Sequence, residues 1–107
     1  MAYELYYGNT NQGRGEFVRL TLEEARAEYI DIARETGPGP GPVAMRRLMD
    51  DPSVKRPTFA PPFLKDGDLV IGQTANILQY LGLRLGLAPE SEGGRLWTHQ
   101  LQLTIAD

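Results

Sequence analysis

The chain has 107 residues, enough for one domain with its own hydrophobic core. Apolar residues make up 41% of it, which is typical of globular proteins, and no apolar run approaches the ~20 residues that cross a bilayer. The net charge of −3 gives no electrostatic reason to propose nucleic acid as a partner. Cysteine is absent, which excludes disulfides and Cys-x-x-Cys redox motifs. Any thiol chemistry therefore requires a small molecule that brings the sulfur.

Metal binding and targeting have little support in the sequence. The single histidine, His99, cannot build a metal site or a Ser-His-Asp triad unaided. No charged-then-apolar targeting segment opens the chain, because Glu4 stands inside the first apolar pattern. We therefore predict a cytoplasmic protein without a metal and without a membrane partner.

The first half of the chain predicts a β-α-β unit. Residues 3–7 form a short aromatic-rich strand that Gly8-Asn9 stops, and residues 29–32 form a second strand. Between them the apolar period becomes helical from Gly13 onward. The predicted apolar face of this helix consists of Phe17, Val18, Leu22 and Ala25, and the polar face of Arg19, Glu23 and Arg26.

The second half predicts a helix, a hairpin and another helix. A Gly-Pro repeat at residues 37–42 is a loop, and a brief helix follows over residues 43–49. Asp66-Gly67 between two apolar runs predicts a two-residue hairpin turn. The helix after it begins at Thr74, its N-cap, and ends near Gly86. The fold class is thus α/β, a βαβ-α-ββα order with a four-stranded mixed sheet.

After Pro89 another helical pattern begins and is still running at Asp107. It carries Trp97 and several aliphatic residues, which normally need a partner to cover them. We predict that residues 1–87 form one domain, and that residues 88–107 form a linker and the first helix of an incomplete helical domain.

Three segments could carry chemistry: Tyr7 with Gly13-Arg14-Gly15, the stretch 60–68, and the stretch 72–81. Each alone has an ordinary explanation, respectively a packed aromatic, a rigid loop and a helix cap. Together they resemble the amino-terminal, thioredoxin-like domain of the glutathione transferases, of a tyrosine-type, bacterial-like kind. The sequences Pro-Phe-Leu-Lys-Asp-Gly at 62–67 and Gln-Thr-Ala-Asn-Ile-Leu-Gln-Tyr-Leu at 73–81 match the family pattern almost position for position.

The resemblance implies a glutathione site. Gln73 and Thr74 would hold the γ-glutamyl end of glutathione at a helix N-terminus, where free N–H groups favour an anion. Pro62 would be the family's cis-proline, which turns the backbone of the preceding residue toward the cysteinyl part of glutathione. That preceding residue is Pro61, where the family usually has Val. Pro61 has no N–H, so one of the two expected backbone bonds cannot form.

The resemblance also implies the catalytic groups. Tyr7 would donate a hydrogen bond to the glutathione sulfur, with Arg14 beside it. The loop at residues 8–12 is one residue longer than in the closest classes, so register alone does not separate Tyr7 from Tyr6. The two side chains point to opposite faces of a strand, and only one of them can reach the ligand.

The predicted function is that of a glutathione transferase, or of its glutathione-binding half. Glutathione is the co-substrate, a small electrophile its reaction partner, and the full-length protein a homodimer. The alternative is a non-catalytic binding or dimerisation module of the same fold.

Overall fold

The computed structural model describes residues 2–8, 13–34 and 42–106. The elements follow the predicted order: β1 (Tyr3–Tyr6), α1 (Gly15–Glu24), β2 (Tyr29–Asp31), a 3₁₀ turn (Ile32–Arg34), α2 (Pro42–Met49), β3 (Phe63–Asp66), β4 (Leu69–Gly72), α3 (Thr74–Arg84) and α4 (Glu92–Ala106). The predicted Gly-Pro loop lies outside the described residues up to position 41. Position 42 already belongs to α2, and proline is tolerated there because the first helical turn needs no N–H.

The four strands form one mixed sheet in the order β2-β1-β3-β4. β1 and β2 are parallel, whereas β3 is antiparallel to both β1 and β4. The predicted α/β class and thioredoxin-like order are therefore confirmed. The sheet places the end of β1 beside the start of β3, so residues 7 and 62 lie at the same edge.

Strand alternation divides the core between the two faces of the sheet. Leu5, Leu64 and Ile71 lie in register across β1, β3 and β4. They pack with buried side chains of α1 and α3: Val18, Leu22, Ile77 and Leu81. On the other face, Tyr6 and Phe63 pack with Ile32 and with side chains of α2. The sheet is thus sandwiched between α1 and α3 on one face and α2 on the other.

The predicted faces of α1 need a correction. Arg19, placed on the polar side by its spacing, is 4% exposed, whereas Phe17, placed on the apolar side, is 47% exposed. Val18 and Leu22 are buried as predicted. The cause is the carboxylate of Asp31, which accepts a 2.6 Å hydrogen bond from Arg19 Nε and lets a charge lie inside.

The hairpin turn also lies one residue later than predicted. Asp66 still pairs with Leu69, so the turn residues are Gly67 and Asp68. Gly67 has φ +62°. A positive φ at the first turn position is the hairpin requirement that glycine meets without steric cost. The hairpin prediction is confirmed, but its turn residues were wrong by one position.

Helix α3 ends where glycine predicts it. Gly86 has φ +72°, and the Leu87 N–H donates to the Gly82 carbonyl across the helix end. This is the left-handed termination that glycine favours. Helix α4 then contacts α3 and has no buried residue among those described. Its exposed apolar side chains are Leu96, Trp97, Leu101, Leu103 and Ile105. The division at residue 87 stays a prediction.

One side-chain contact ties α3 to the β3–β4 hairpin. The Tyr80 hydroxyl donates a 2.5 Å hydrogen bond to Asp66 Oδ2, and burial together with this carboxylate raises the Tyr80 pKa. Replacing Tyr80 by Phe should lower the free energy of unfolding by about 1 kcal/mol, since a charge-assisted bond is lost at a partly exposed site. Denaturant unfolding measures this. The exposed neighbour Gln79→Ala should change stability by less than about 0.5 kcal/mol, and an equal loss in both variants would contradict the assignment.

Candidate functional site

A cavity of about 270 Å³ lies where the starts of α1 and α3 meet the end of α4. Two of the predicted site residues, Arg14 and Thr74, line it. The other lining residues are Phe17, Ala75, Leu78, Gln102, Ile105 and Ala106. A larger cavity of about 610 Å³ lies between residues 51–56 and the hairpin, and none of the predicted residues borders it. Of the six predicted site residues, only the pair Arg14 and Thr74 therefore borders the smaller cavity.

Tyr7 reaches this region through Arg14. It follows the last residue of β1 and, by strand alternation, continues the face that carries Leu5 and α1. The Arg14 backbone N–H donates to the Tyr7 hydroxyl at 3.2 Å. A phenol that accepts one hydrogen bond keeps its own proton for donation to another group. Tyr7 is half-buried, so the hydroxyl can meet a ligand.

Tyr6 lies on the opposite face of the sheet. Its ring is buried and stacks on Phe63 with centroids 5.0 Å apart. Its hydroxyl donates to Glu4 Oε1 at 2.7 Å, and burial with this carboxylate raises the Tyr6 pKa far above its ordinary value. The Tyr6 proton is therefore committed to Glu4, on the side covered by α2.

Two glycines allow α1 to begin directly against the Tyr7 ring. Gly13 has φ +43°, and a Cβ built on it would overlap the Tyr7 hydroxyl. A Cβ on Gly15 would overlap the ring carbons of the same side chain. The Gly-Arg-Gly sequence is therefore a close-approach element between a helix N-terminus and a phenol. Arg14 between them is exposed and precedes α1 without a side-chain cap.

Thr74 does not cap α3 as predicted. It is the first helical residue, and Gln73 occupies the cap position with φ +70° and no side-chain hydrogen bond. Gln73 nevertheless accepts the first helical bond, from the Ile77 N–H to its carbonyl at 2.9 Å. The Thr74 hydroxyl oxygen is buried and has no hydrogen-bond partner. The capping prediction was wrong because the backbone turns into the helix one residue too early.

Gln73 holds an unusual backbone conformation for a residue with a side chain. A non-glycine residue at such a positive φ costs on the order of 1–3 kcal/mol, and such residues cluster at functional sites. The strained residue immediately precedes the unpartnered Thr74 hydroxyl. The N–H groups of the first helical turn, which have no acceptor within the helix, lie at the same point. A strained residue, free N–H groups and an unpartnered hydroxyl together suit an anionic ligand.

The two prolines lie just before β3. The Pro61-Pro62 peptide bond is cis, as the resemblance implies. Pro62 is buried and Pro61 is half-buried. Neither borders the 270 Å³ cavity, and neither does Gln73. The structure thus joins Tyr7 to Arg14 by a hydrogen bond and places Arg14 and Thr74 at one cavity. The other three predicted residues, Pro61, Pro62 and Gln73, are not among the residues that line it.

Sequence reasoning missed one residue that borders the cavity. Gln102 of α4 is half-buried, and its Oε1 atom has no hydrogen-bond partner. Gln102 alternates with the polar residues Gln100 and Thr104 in the last turns of α4, so no sequence signal distinguished it. Two of the residues that line the cavity, one on α3 and one on α4, thus have a buried side-chain oxygen without a hydrogen-bond partner.

The described part of the chain holds no group of three or more His, Asp or Glu side chains placed to bind a metal ion. Among residues 2–8, 13–34 and 42–106, no helix combines the length and apolarity of a membrane span.

Solved structures similar to this chain include nematode glutathione transferases. A glutathione S-transferase from Ascaris lumbricoides matches with a TM-score of 0.62 and 26% sequence identity over 87% of this chain and 40% of that chain. A Nu-class glutathione transferase from Haemonchus contortus matches with a TM-score of 0.63 and 25% sequence identity, over 99% of this chain and 45% of that chain. A nematode-specific transferase from Caenorhabditis elegans shares the fold at a TM-score of 0.70 and 21% identity, over 99% of this chain and 47% of that one.

No protein-family model and no curated protein matches the sequence. The chain spans 40% to 47% of the length of these three solved relatives. The prediction of a bacterial-like kind stays untested.

Proposed function

Because this chain carries the amino-terminal, thioredoxin-like domain of the glutathione transferase family, we propose that it binds glutathione beside Tyr7, Arg14 and Thr74 and lowers the pKa of its thiol. The observation that carries the proposal is the buried Thr74 hydroxyl, which has no partner at the N-terminus of α3. Glutathione has two carboxylates. One of them would accept hydrogen bonds from this hydroxyl and from the free N–H groups of the first helical turn.

Charge complementarity supports the same placement. Among residues 2–8, 13–34 and 42–106, Arg14 is the only charged residue that lines the cavity, and it is positive. The N-terminus of a helix carries a partial positive charge, which attracts anions as the charge of Arg14 does. An acidic tripeptide is thus favoured over a neutral or basic one. Gln73 would hold the γ-glutamyl end, and the carbonyl of Pro61 would contact the cysteinyl part.

Pro61 should make the site weaker than its family counterparts. With no N–H on this residue, the backbone offers the ligand one hydrogen bond where the usual valine offers two. Without this backbone N–H donor, one acceptor of the cysteinyl part would have to accept its hydrogen bond from water. We propose that affinity for glutathione depends more heavily here on the α3 end of the site.

The catalytic step would be tyrosine-type. The thiol loses its proton to water, and Tyr7 stabilises the resulting thiolate by donating a hydrogen bond to the sulfur. The thiolate then attacks an electrophilic carbon and displaces its leaving group, which is chloride for a chlorinated nitrobenzene. A thiol of pKa ~8.5 is roughly 3% ionised at pH 7, and a pKa lower by two units makes it about 75% ionised. The difference corresponds to ~2.7 kcal/mol, within reach of one aimed donor together with a cation and a helix N-terminus.

Conjugation, homodimerisation and a cytoplasmic location belong to the whole protein and remain part of this proposal. The test is to titrate the chain with glutathione by calorimetry and to follow conjugation of a chlorinated nitrobenzene. Binding with conjugation supports the transferase, and binding without conjugation supports the alternative of a non-catalytic module. Absence of glutathione binding, with the thioredoxin-like fold intact by circular dichroism, would overturn the proposal.

A further inference from the structure

Arg19 is the only charged residue that is buried within the described part of the chain. Burying a guanidinium costs free energy unless its N–H groups find hydrogen-bond acceptors and its charge finds an opposite charge. Helix α1 presents its other charged residues to solvent or to a half-buried position. A buried arginine adds nothing to solubility, so the contacts that it makes inside the fold are the place to look for its role.

The guanidinium joins three parts of the fold. Its Nε donates to Asp31 Oδ2 at the end of β2 at 2.6 Å, and one terminal nitrogen donates to the Gly8 carbonyl at 3.2 Å. The other terminal nitrogen lies 3.4 Å from Glu16 Oε1 on the same helix. Its central carbon lies 5.7 Å from the centroid of the Tyr7 ring. Arg19 therefore holds the backbone immediately after Tyr7 and also contacts the Tyr7 ring.

We infer that Arg19 is a positioning residue for Tyr7, an inference that rests on the proposed function. Tyr7 lies beyond the last residue of β1, so the strand ladder no longer fixes it. The Gly8 carbonyl is held by Arg19, and the ring lies between this guanidinium and the close backbone of Gly13 and Gly15. These contacts set the direction of the phenol toward the start of α1. Arg19 is not among the residues that line the 270 Å³ cavity.

The planar fork of arginine is what the arrangement requires. One arm reaches a carboxylate while another reaches a carbonyl at a fixed angle, and a lysine ammonium cannot hold both in that geometry. Arg19→Lys should therefore keep the pair with Asp31, and with it most of the stability, while losing the hold on Gly8. This separates the positioning role from a merely structural one.

The test measures the pKa of the thiol of bound glutathione, from the ultraviolet absorbance of the thiolate against pH. Arg19→Lys and Arg19→Met should each raise this pKa by about one unit, which is about a tenfold loss of thiolate well below the pKa. Binding of S-methylglutathione, which has no thiol to ionise, should change less than about threefold, since Arg19 lies away from the α3 end. If Arg19→Met fails to fold, Arg19→Lys alone decides the test.

Arg34→Met is the matched control. Arg34 also pairs with Asp31, at 3.7 Å, but its side chain is 42% exposed. No hydrogen bond or ring contact to Gly8 or Tyr7 is found for it in the described residues. This variant should leave the thiol pKa unchanged. In a Tyr7→Phe background, Arg19→Lys should have no further effect, because the group it positions is gone.

The outcomes separate a failure of the positioning role of Arg19 from a failure of the proposed function. A wild-type protein that binds glutathione and lowers its thiol pKa, with Arg19→Lys titrating identically, overturns the positioning role alone. An equal effect of Arg34→Met also overturns it, since the cause would then be the charge balance at Asp31. A wild-type protein that leaves the thiol pKa at its ordinary value overturns the proposed function and this inference with it.

Discussion

Replacing Tyr7 by phenylalanine should return the thiol of bound glutathione most of the way to its ordinary acidity, while Arg14 and the helix N-terminus keep a smaller part of the shift. The Tyr7 hydroxyl accepts from the Arg14 N–H and keeps its own proton for the sulfur, whereas a phenyl ring offers none. At pH 7 the thiolate fraction should fall from about 75% toward roughly 3%, and conjugation should slow by up to about 25-fold. Glutathione affinity should change less than about threefold, because its carboxylates are held elsewhere.

The matched control is Tyr6→Phe, one residue earlier on the same strand. Its hydroxyl donates to Glu4 on the opposite face of the sheet, so this variant should lower stability by about 1 kcal/mol and leave the thiol titration unchanged. Thiolate absorbance against pH and denaturant unfolding measure the two effects separately. If Tyr6→Phe raised the thiol pKa and Tyr7→Phe did not, the assignment of the donor would be reversed.

Replacing Thr74 by valine should weaken glutathione binding by about tenfold or more while leaving the fold as stable as before. The hydroxyl is buried without a partner in the unliganded protein, so its removal breaks no internal bond. Toward a carboxylate it would supply a charge-assisted hydrogen bond, worth about 1.5–3 kcal/mol. Valine keeps the branched shape at the first position of α3, so packing is conserved.

Thr21→Val provides the control, since Thr21 lies in a helix but donates to its own helix at the Phe17 carbonyl, 2.9 Å away. It should leave glutathione affinity unchanged. Calorimetry gives the affinity and thermal unfolding the stability of both variants. A lower melting temperature with unchanged affinity in Thr74→Val would show that this hydroxyl serves the fold and has no ligand role.

Much of the fold follows from local patterns. Apolar periods of two and of 3.6 residues predict the strands and helices, and glycine predicts the end of α3 and the presence of the hairpin. The hairpin turn shifted by one residue because both Asp66-Gly67 and Gly67-Asp68 place a glycine at a position that accepts positive φ. The choice between them is made by register, which brings Leu64 opposite Ile71 and both into the core.

The faces of α1 show where helical periodicity stops being informative. Spacing identifies Val18 and Leu22 as one buried row, but it does not give the angle at which the helix meets the sheet. That angle exposes Phe17 and buries Arg19 against Asp31, a residue twelve positions later. The residue pattern of α1 does not show that a carboxylate on another strand lies beside the helix. Arg19 is therefore predicted to be exposed although it is buried.

For the candidate site too, part of the arrangement follows from the sequence and part only from the tertiary structure. The sequence alone determined that Tyr6 and Tyr7 face opposite sides, because a strand alternates, and that glycines and a helix start lie near Thr74. Only the tertiary structure decided which side receives α1 and its N–H groups and which receives α2, and it placed Tyr7 with Arg14 and Tyr6 with Glu4. It also turned the backbone at Gln73 so that the Thr74 hydroxyl is left unpaired instead of capping α3. Both decisions depend on packing between elements distant in the chain, which no single segment encodes.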